Sequence, residues 1–83
     1  DEHRQQDAEA YVRKALAVVP GQPLYLNTLG NGLLAQGRSI EAVTALEEAV
    51  KAAPGQADIM FNLANAERQA GRYDDAVKSY RAC

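Results

Sequence analysis

Tryptophan is missing from this sequence, phenylalanine and methionine occur once each, and Cys83 is the only cysteine. A lone thiol closes no internal disulfide, so the cysteine pattern leaves the compartment unmarked. No apolar run approaches the roughly 20 residues of a membrane span, and no signal-peptide core is present. Nine basic against eleven acidic residues give a net charge of −2, which supplies no basic footprint for nucleic acid or an acidic membrane. His3 is the single histidine, with no cysteine or paired carboxylate at ligand spacing, so neither a metal nor another cofactor is expected. At 83 residues there is room for one small domain, burying only about 60–65% of its unfolded surface. Runs of β-branched residues are scarce and alanine is abundant, which favours helix throughout.

What is present is repetition. Pro20-Gly21-Gln22 recurs as Pro54-Gly55-Gln56, 34 residues later. The same offset carries Gly37-Arg38 onto Gly71-Arg72, Glu41-Ala42-Val43 onto Asp75-Ala76-Val77, Leu29 onto Leu63, and Asn31 onto Asn65. Agreement of this kind at one spacing marks an internal repeat, to be read before any single motif.

The apolar residues then fall at helical spacing. Ala8, Val12, Ala15, Leu16 and Val19 make one face of a helix from about Arg4 to Val18, ended by Pro20-Gly21. Pro23 suits the first turn of a second helix, whose inner stripe is Leu26, Leu29, Gly30 and Leu33 and whose end is Gly37. A third, Ile40 to about Ala53, is expected to bury Ala42, Val43, Leu46, Ala49 and Val50, with Ser39 as its cap and Glu47 paired to Lys51. A fourth over residues 57–70 buries Met60, Leu63 and Ala64, and a fifth from Tyr73 buries Ala76, Val77 and Tyr80. Small residues at Gly30 and Ala64, Ala42 and Ala76, and Ala15 and Ala49 mark levels where helices approach closely. The expected fold is all-α, five helices in antiparallel pairs that must stack to bury both faces. Residues 1–22 form the second half of a unit, 23–56 a complete unit and 57–83 an incomplete one, about two and a half in all.

The spacing of Leu26, Leu29-Gly30, Leu33, Ala42, Leu46, Ala49 and Pro54 resembles the tetratricopeptide repeat. Met60, Leu63-Ala64, Ala76 and Tyr80 repeat most of that set, and Ala8, Val12, Ala15 and Pro20 supply the half-unit before it. The resemblance implies a right-handed helical solenoid that binds proteins and is not itself an enzyme. Leu26 stands where that family often has tryptophan. Glu67 stands opposite Leu33, where an apolar residue is usual, so looser packing is expected there. His3 replaces the turn glycine, so either the first turn is distorted or the helix begins there. The final helix stops short of its counterpart, so Val77 and Tyr80 are expected to be exposed unless covered, and the chain is expected to be a piece of a longer protein or else to self-associate through its unfinished ends.

In that family the first helix of each pair lines a concave groove for extended peptides. Turning the inner stripe by half a helix gives the groove positions Leu24, Asn27, Thr28, Asn31, Leu34 and Ala35, then Asp58, Phe61, Asn62, Asn65, Arg68 and Gln69. Side-chain amides dominate the set, and an amide grips a peptide bond whatever the ligand's side chains. Asn27-Thr28-Leu29-Gly30-Asn31 and Asn62-Leu63-Ala64-Asn65 are similar to the asparagine ladder of the repeats that precede O-GlcNAc transferase catalytic domains. The same amides also suit a solvated groove wall or a bond to a neighbouring helix. Phe61 reads as packing rather than as a ligand anchor. Clamping a terminal carboxylate needs several groove cations, and Arg68 alone qualifies.

Signals for catalysis fail on context. Gly30-Asn31-Gly32-Leu33-Leu34-Ala35 fits a dinucleotide fingerprint in letters, but that motif needs a preceding strand. Glu47-Glu48 and Asp74-Asp75 point about 100° apart on a helix and read as solvated charges. Tyr11, Tyr25, Tyr73 and Tyr80 read as packing or rim residues. The leading expectation is a protein-interaction module for an extended peptide segment. The alternative is the substrate-recognition arm of a larger glycosyltransferase or sulfotransferase whose catalytic domain lies elsewhere.

Overall fold

Proline and glycine place the breaks between helices. A computed structural model of the chain describes residues 2–83, apart from the side chains of Glu2, His3 and Gln5. Among the described residues there are five helices and no strand: α1 (Glu2–Val18), α2 (Pro23–Ala35), α3 (Ser39–Ala52), α4 (Ala57–Gln69) and α5 (Tyr73–Ala82). Nothing is described of the His3 side chain, while its backbone lies in the first turn of α1, so the helix begins there as one of the two expectations at the turn-glycine position has it.

The two turns inside the helix pairs are copies of one another. Gly37 and Gly71 sit at φ 77° and 81°, in the left-handed region that only glycine enters without cost. The amide of Arg38 donates to the Leu33 carbonyl at 2.9 Å, and that of Arg72 to the Glu67 carbonyl at 2.8 Å. These bonds satisfy carbonyls that the helix end leaves open. α3 begins one residue earlier than expected, so Ser39 lies inside it, Arg38 is the cap residue, and no side chain caps the helix. The Arg38 guanidinium instead pairs with Glu41 one turn on, at 2.6 Å, and Arg72 pairs with Asp75 in the same way at 3.0 Å.

Both arginines also reach back to the preceding helix. Arg38 lies 2.7 Å from Glu9 on α1, and Arg72 lies 3.9 Å from Glu47 on α3. Glu47 therefore faces the following turn rather than the expected Lys51. Glu9 also accepts hydrogen bonds from Arg13 at 2.8 Å and Gln36 at 3.2 Å. The Arg13 hydrogen bond, then that from Gln36, hold the Glu9 carboxyl below the usual glutamate range, and Arg38 does the same for Glu41.

α2 packs on α3 and α4 on α5, and the pairs meet where α3 touches α4 and α2 touches α4. Leu26, Leu29, Gly30 and Leu33 are all buried, as their spacing predicts. Ala42, Val43, Leu46 and Ala49 face them from α3, and Leu63 and Ala64 from α4. The apolar stripes are wider than expected, taking in Ala45, Ile59 and Ala66, while Val50 and Met60 stay half-buried at the edge.

Val77 is 46% exposed, as expected of an inner-stripe residue of α5 that nothing covers, while Val43, its counterpart one unit earlier, is 2% exposed. α4 lies against α3 and shields Val43, and no described helix lies against α5 on that side. Packing at Glu67, by contrast, is not loose as expected. Glu67 is buried, and the Ser79 hydroxyl donates to its Oε1 at 2.6 Å. A hydrogen-bonded pair across α4 and α5 here occupies the place of the apolar pair Leu33 and Ala45 in the preceding unit.

The groove face of alpha 2 and alpha 4

The inner stripes of α2 and α4 turn toward α3 and α5, so their opposite faces run side by side as one surface. Helical periodicity puts Asn27, Thr28 and Asn31 on that surface from α2, and Asp58, Phe61, Asn62, Asn65, Arg68 and Gln69 from α4. They differ in what already holds them. Asn62 Nδ2 donates to Asn27 Oδ1 at 3.0 Å and bridges the two helices. Both side chains are half-buried, which limits their freedom. Thr28 spends its hydroxyl proton on the Leu24 carbonyl of its own helix, at 2.8 Å. Asn31 is exposed and makes no side-chain hydrogen bond among the described residues.

Asn65, the counterpart of Asn31, is held differently. Its Oδ1 accepts from the Tyr80 hydroxyl of α5. The difference traces to one position, because Leu46 stands in the preceding unit where Tyr80 stands here. Phe61 is 51% exposed and packs edge-on against the same Tyr80 ring, centroids 5.7 Å apart and planes at 64°. Tyr80 therefore braces two groove residues at once. Its reading as rim or packing missed this, and the only available signal was a polar tip at a position that is otherwise aliphatic.

Asp58, Arg68 and Gln69 are exposed, and none is in a hydrogen bond or ion pair among the described residues. Beside Asp58 the surface sinks into a concavity of about 240 Å³, lined by Pro23, Leu24, Asn27 and Ile59 together with Gln22 and Gln56. A larger cleft of about 400 Å³ opens on the other side, between α1 and α3, over Leu16, Leu26 and Leu29. Of the charged groups around it, Arg13 and Glu41 are already paired, and no groove residue lines it. No three His, Cys, Asp or Glu side chains among the described residues are placed to hold a metal, and no helix is long and apolar enough to cross a membrane.

A family model for the tetratricopeptide repeat matches residues 27–82. The chain belongs to the tetratricopeptide repeat family. Its repeats form a helical solenoid and serve as non-catalytic modules for protein–protein interaction. Among curated proteins the chain is similar to the protein O-mannosyl-transferase Tmtc2 of Drosophila melanogaster, 43% identical over 56 residues. That stretch covers 68% of this chain and 6% of the length of that protein. The family match takes in every groove residue named above except Leu24, and both glycine-closed turns.

Proposed function

We propose that this tetratricopeptide module holds an extended segment of a partner protein along the face of α2 and α4, through side-chain amides that pair with the segment's peptide bonds. The Asn62–Asn27 hydrogen bond carries this reading. It fixes both amides across two units and uses one N–H and one carbonyl lone pair. The remaining N–H groups of both residues and the carbonyl of Asn62 keep their capacity for a ligand. Fixing these groups beforehand lowers the ordering cost of binding. Asn31 and Gln69 add unengaged amides beside them, and Thr28, Asn65 and Phe61 complete the wall. The units are residues 23–56 and 57–83, with 1–22 as the half-unit packed on the first.

A second reading has support of its own. The likeness to a protein named as an O-mannosyl-transferase fits a recognition arm of a larger glycosyltransferase, with the catalytic chemistry outside these 83 residues. In that arrangement the groove does the same work, presenting an acceptor protein instead of a scaffold partner.

Selection of random peptides on the immobilised chain tests the groove. Peptides enriched on the native chain should lose about tenfold or more in affinity for an Asn27→Ala, Asn31→Ala, Asn62→Ala variant, the sum of a few hydrogen bonds. Helix content by circular dichroism should stay unchanged. Equal affinity for the two proteins would remove the groove from consideration.

A further inference from the structure

Two charges stand on the groove face, one at each end of α4. Asp58 lies in its first turn and Arg68 in its last. α2 offers neither an acidic first turn nor a basic last turn, so α4 alone sets the charge pattern of the groove. Neither Asp58 nor Arg68 has an opposite charge within ion-pair distance among the described residues, in contrast to Arg13, Arg38 and Arg72. Ten residues of helix separate them, about 15 Å at the rise of an α-helix. The amides of Asn62 and Asn65 lie between.

Asp58 also adjoins the concavity of about 240 Å³ whose walls include Pro23, Leu24 and Ile59. Leu24 is 65% exposed there and open to contact. The apolar part of that wall, with a carboxylate at the lip and amides beside it, suits a side chain with an aliphatic stem and a cationic tip, that is, lysine or arginine. Resting on the peptide-groove reading above, we infer that the preferred occupant is an extended segment with a basic residue seated beside Asp58 and an acidic residue beside Arg68. An extended chain advances about 3.3 Å per residue, so the two charges of the segment stand about four or five residues apart. Amides grip any backbone, and the charge pair selects which backbone stays.

The probes are fluorescein-labelled twelve-residue peptides of Ser, Thr and Val with one Lys and one Glu placed two, four, five or eight residues apart, an uncharged parent, and a Glu/Glu peptide at the five-residue spacing. Fluorescence anisotropy at low ionic strength reads affinity. Spacings of four and five should bind the native chain roughly three- to tenfold more tightly than the parent, as two exposed ion pairs allow, and added salt should erase the difference. Asp58→Lys should move the preference to the Glu/Glu peptide, and Asp58→Asn should lose the Lys/Glu preference without gaining the other. Circular dichroism on both variants confirms folding. Equal binding of charged and uncharged peptides overturns the charge selection while the groove stands. Absence of binding by every peptide overturns both.

Discussion

Gly30 stands against Leu46 so closely that a Cβ built on it would lie 2.4 Å from the Leu46 Cγ and 2.6 Å from Cδ2. Leu46 is 0% exposed and has no open side into which to retreat. Gly30→Ala should therefore destabilise the chain by about 1–3 kcal/mol from overpacking, although alanine is the better helix former. Gly32 lies in the same helix with nothing within 4 Å of its added Cβ. Gly32→Ala should stabilise by about 0.5–1 kcal/mol. Urea denaturation of the two variants should give shifts of opposite sign.

Glu67 and Ser79 take the places that Leu33 and Ala45 hold in the preceding unit. Ser79→Ala leaves a buried carboxylate without its donor, which should cost about 1–3 kcal/mol. Glu67→Leu together with Ser79→Ala rebuilds the apolar pair and should recover most of that loss or exceed the parent. A double-mutant cycle by chemical denaturation measures the coupling, and additive effects would refute it.

Val43 and Val77 are the same position in two units, one covered by a neighbouring helix and one bare. Val43→Asp places an unpaired charge in the core and should abolish cooperative thermal unfolding. Val77→Asp should move the melting temperature by only a few degrees, as surface substitutions do. Comparable losses at both sites would show that the bare face is not bare in solution.

Glu9 and Glu41 both have lowered pKa values in the fold, the first chiefly from its Arg13 hydrogen bond and the second from Arg38. A carboxyl lowered on folding adds stability that is fully present above its ordinary pKa. That stability is lost as pH falls through the lowered one. Denaturation midpoints should therefore hold steady from neutral pH down to the usual glutamate range and decline below it. Glu9→Gln should make the acid decline shallower, and an unchanged slope would show that the Glu9 ion pairs contribute nothing to it.

Much of the fold was legible because glycine and apolar spacing act locally. Gly37 and Gly71 take the conformation their place after a helical stripe demands, and Leu26, Leu29, Gly30 and Leu33 bury as their periodicity requires. What escaped depends on partners distant in sequence. Nothing near Glu67 announces Ser79, twelve residues on. A bond to a neighbouring helix is one reading of the groove amides, but nothing near Asn27 names Asn62, thirty-five residues on, as its partner. Ser39 looked like a cap by residue type, but Arg38 occupies the cap position and binds Glu41 instead. Glu47 met Arg72 across a turn that a reading of one helix at a time does not include. On the groove, positions followed from periodicity, while the difference between Asn31 and Asn65 needed the ring of Tyr80.

Among the helices α1 meets α2 alone and α5 meets α4 alone, while α2, α3 and α4 all touch one another. Loosening at either end therefore has no second route by which to spread, and the outer helices can peel away and reseat while the centre stays shut. The slowest-exchanging amides belong in α2, α3 and α4, with protection tapering outward. A guest lying along α2 and α4 would rest on the part of the molecule that opens last.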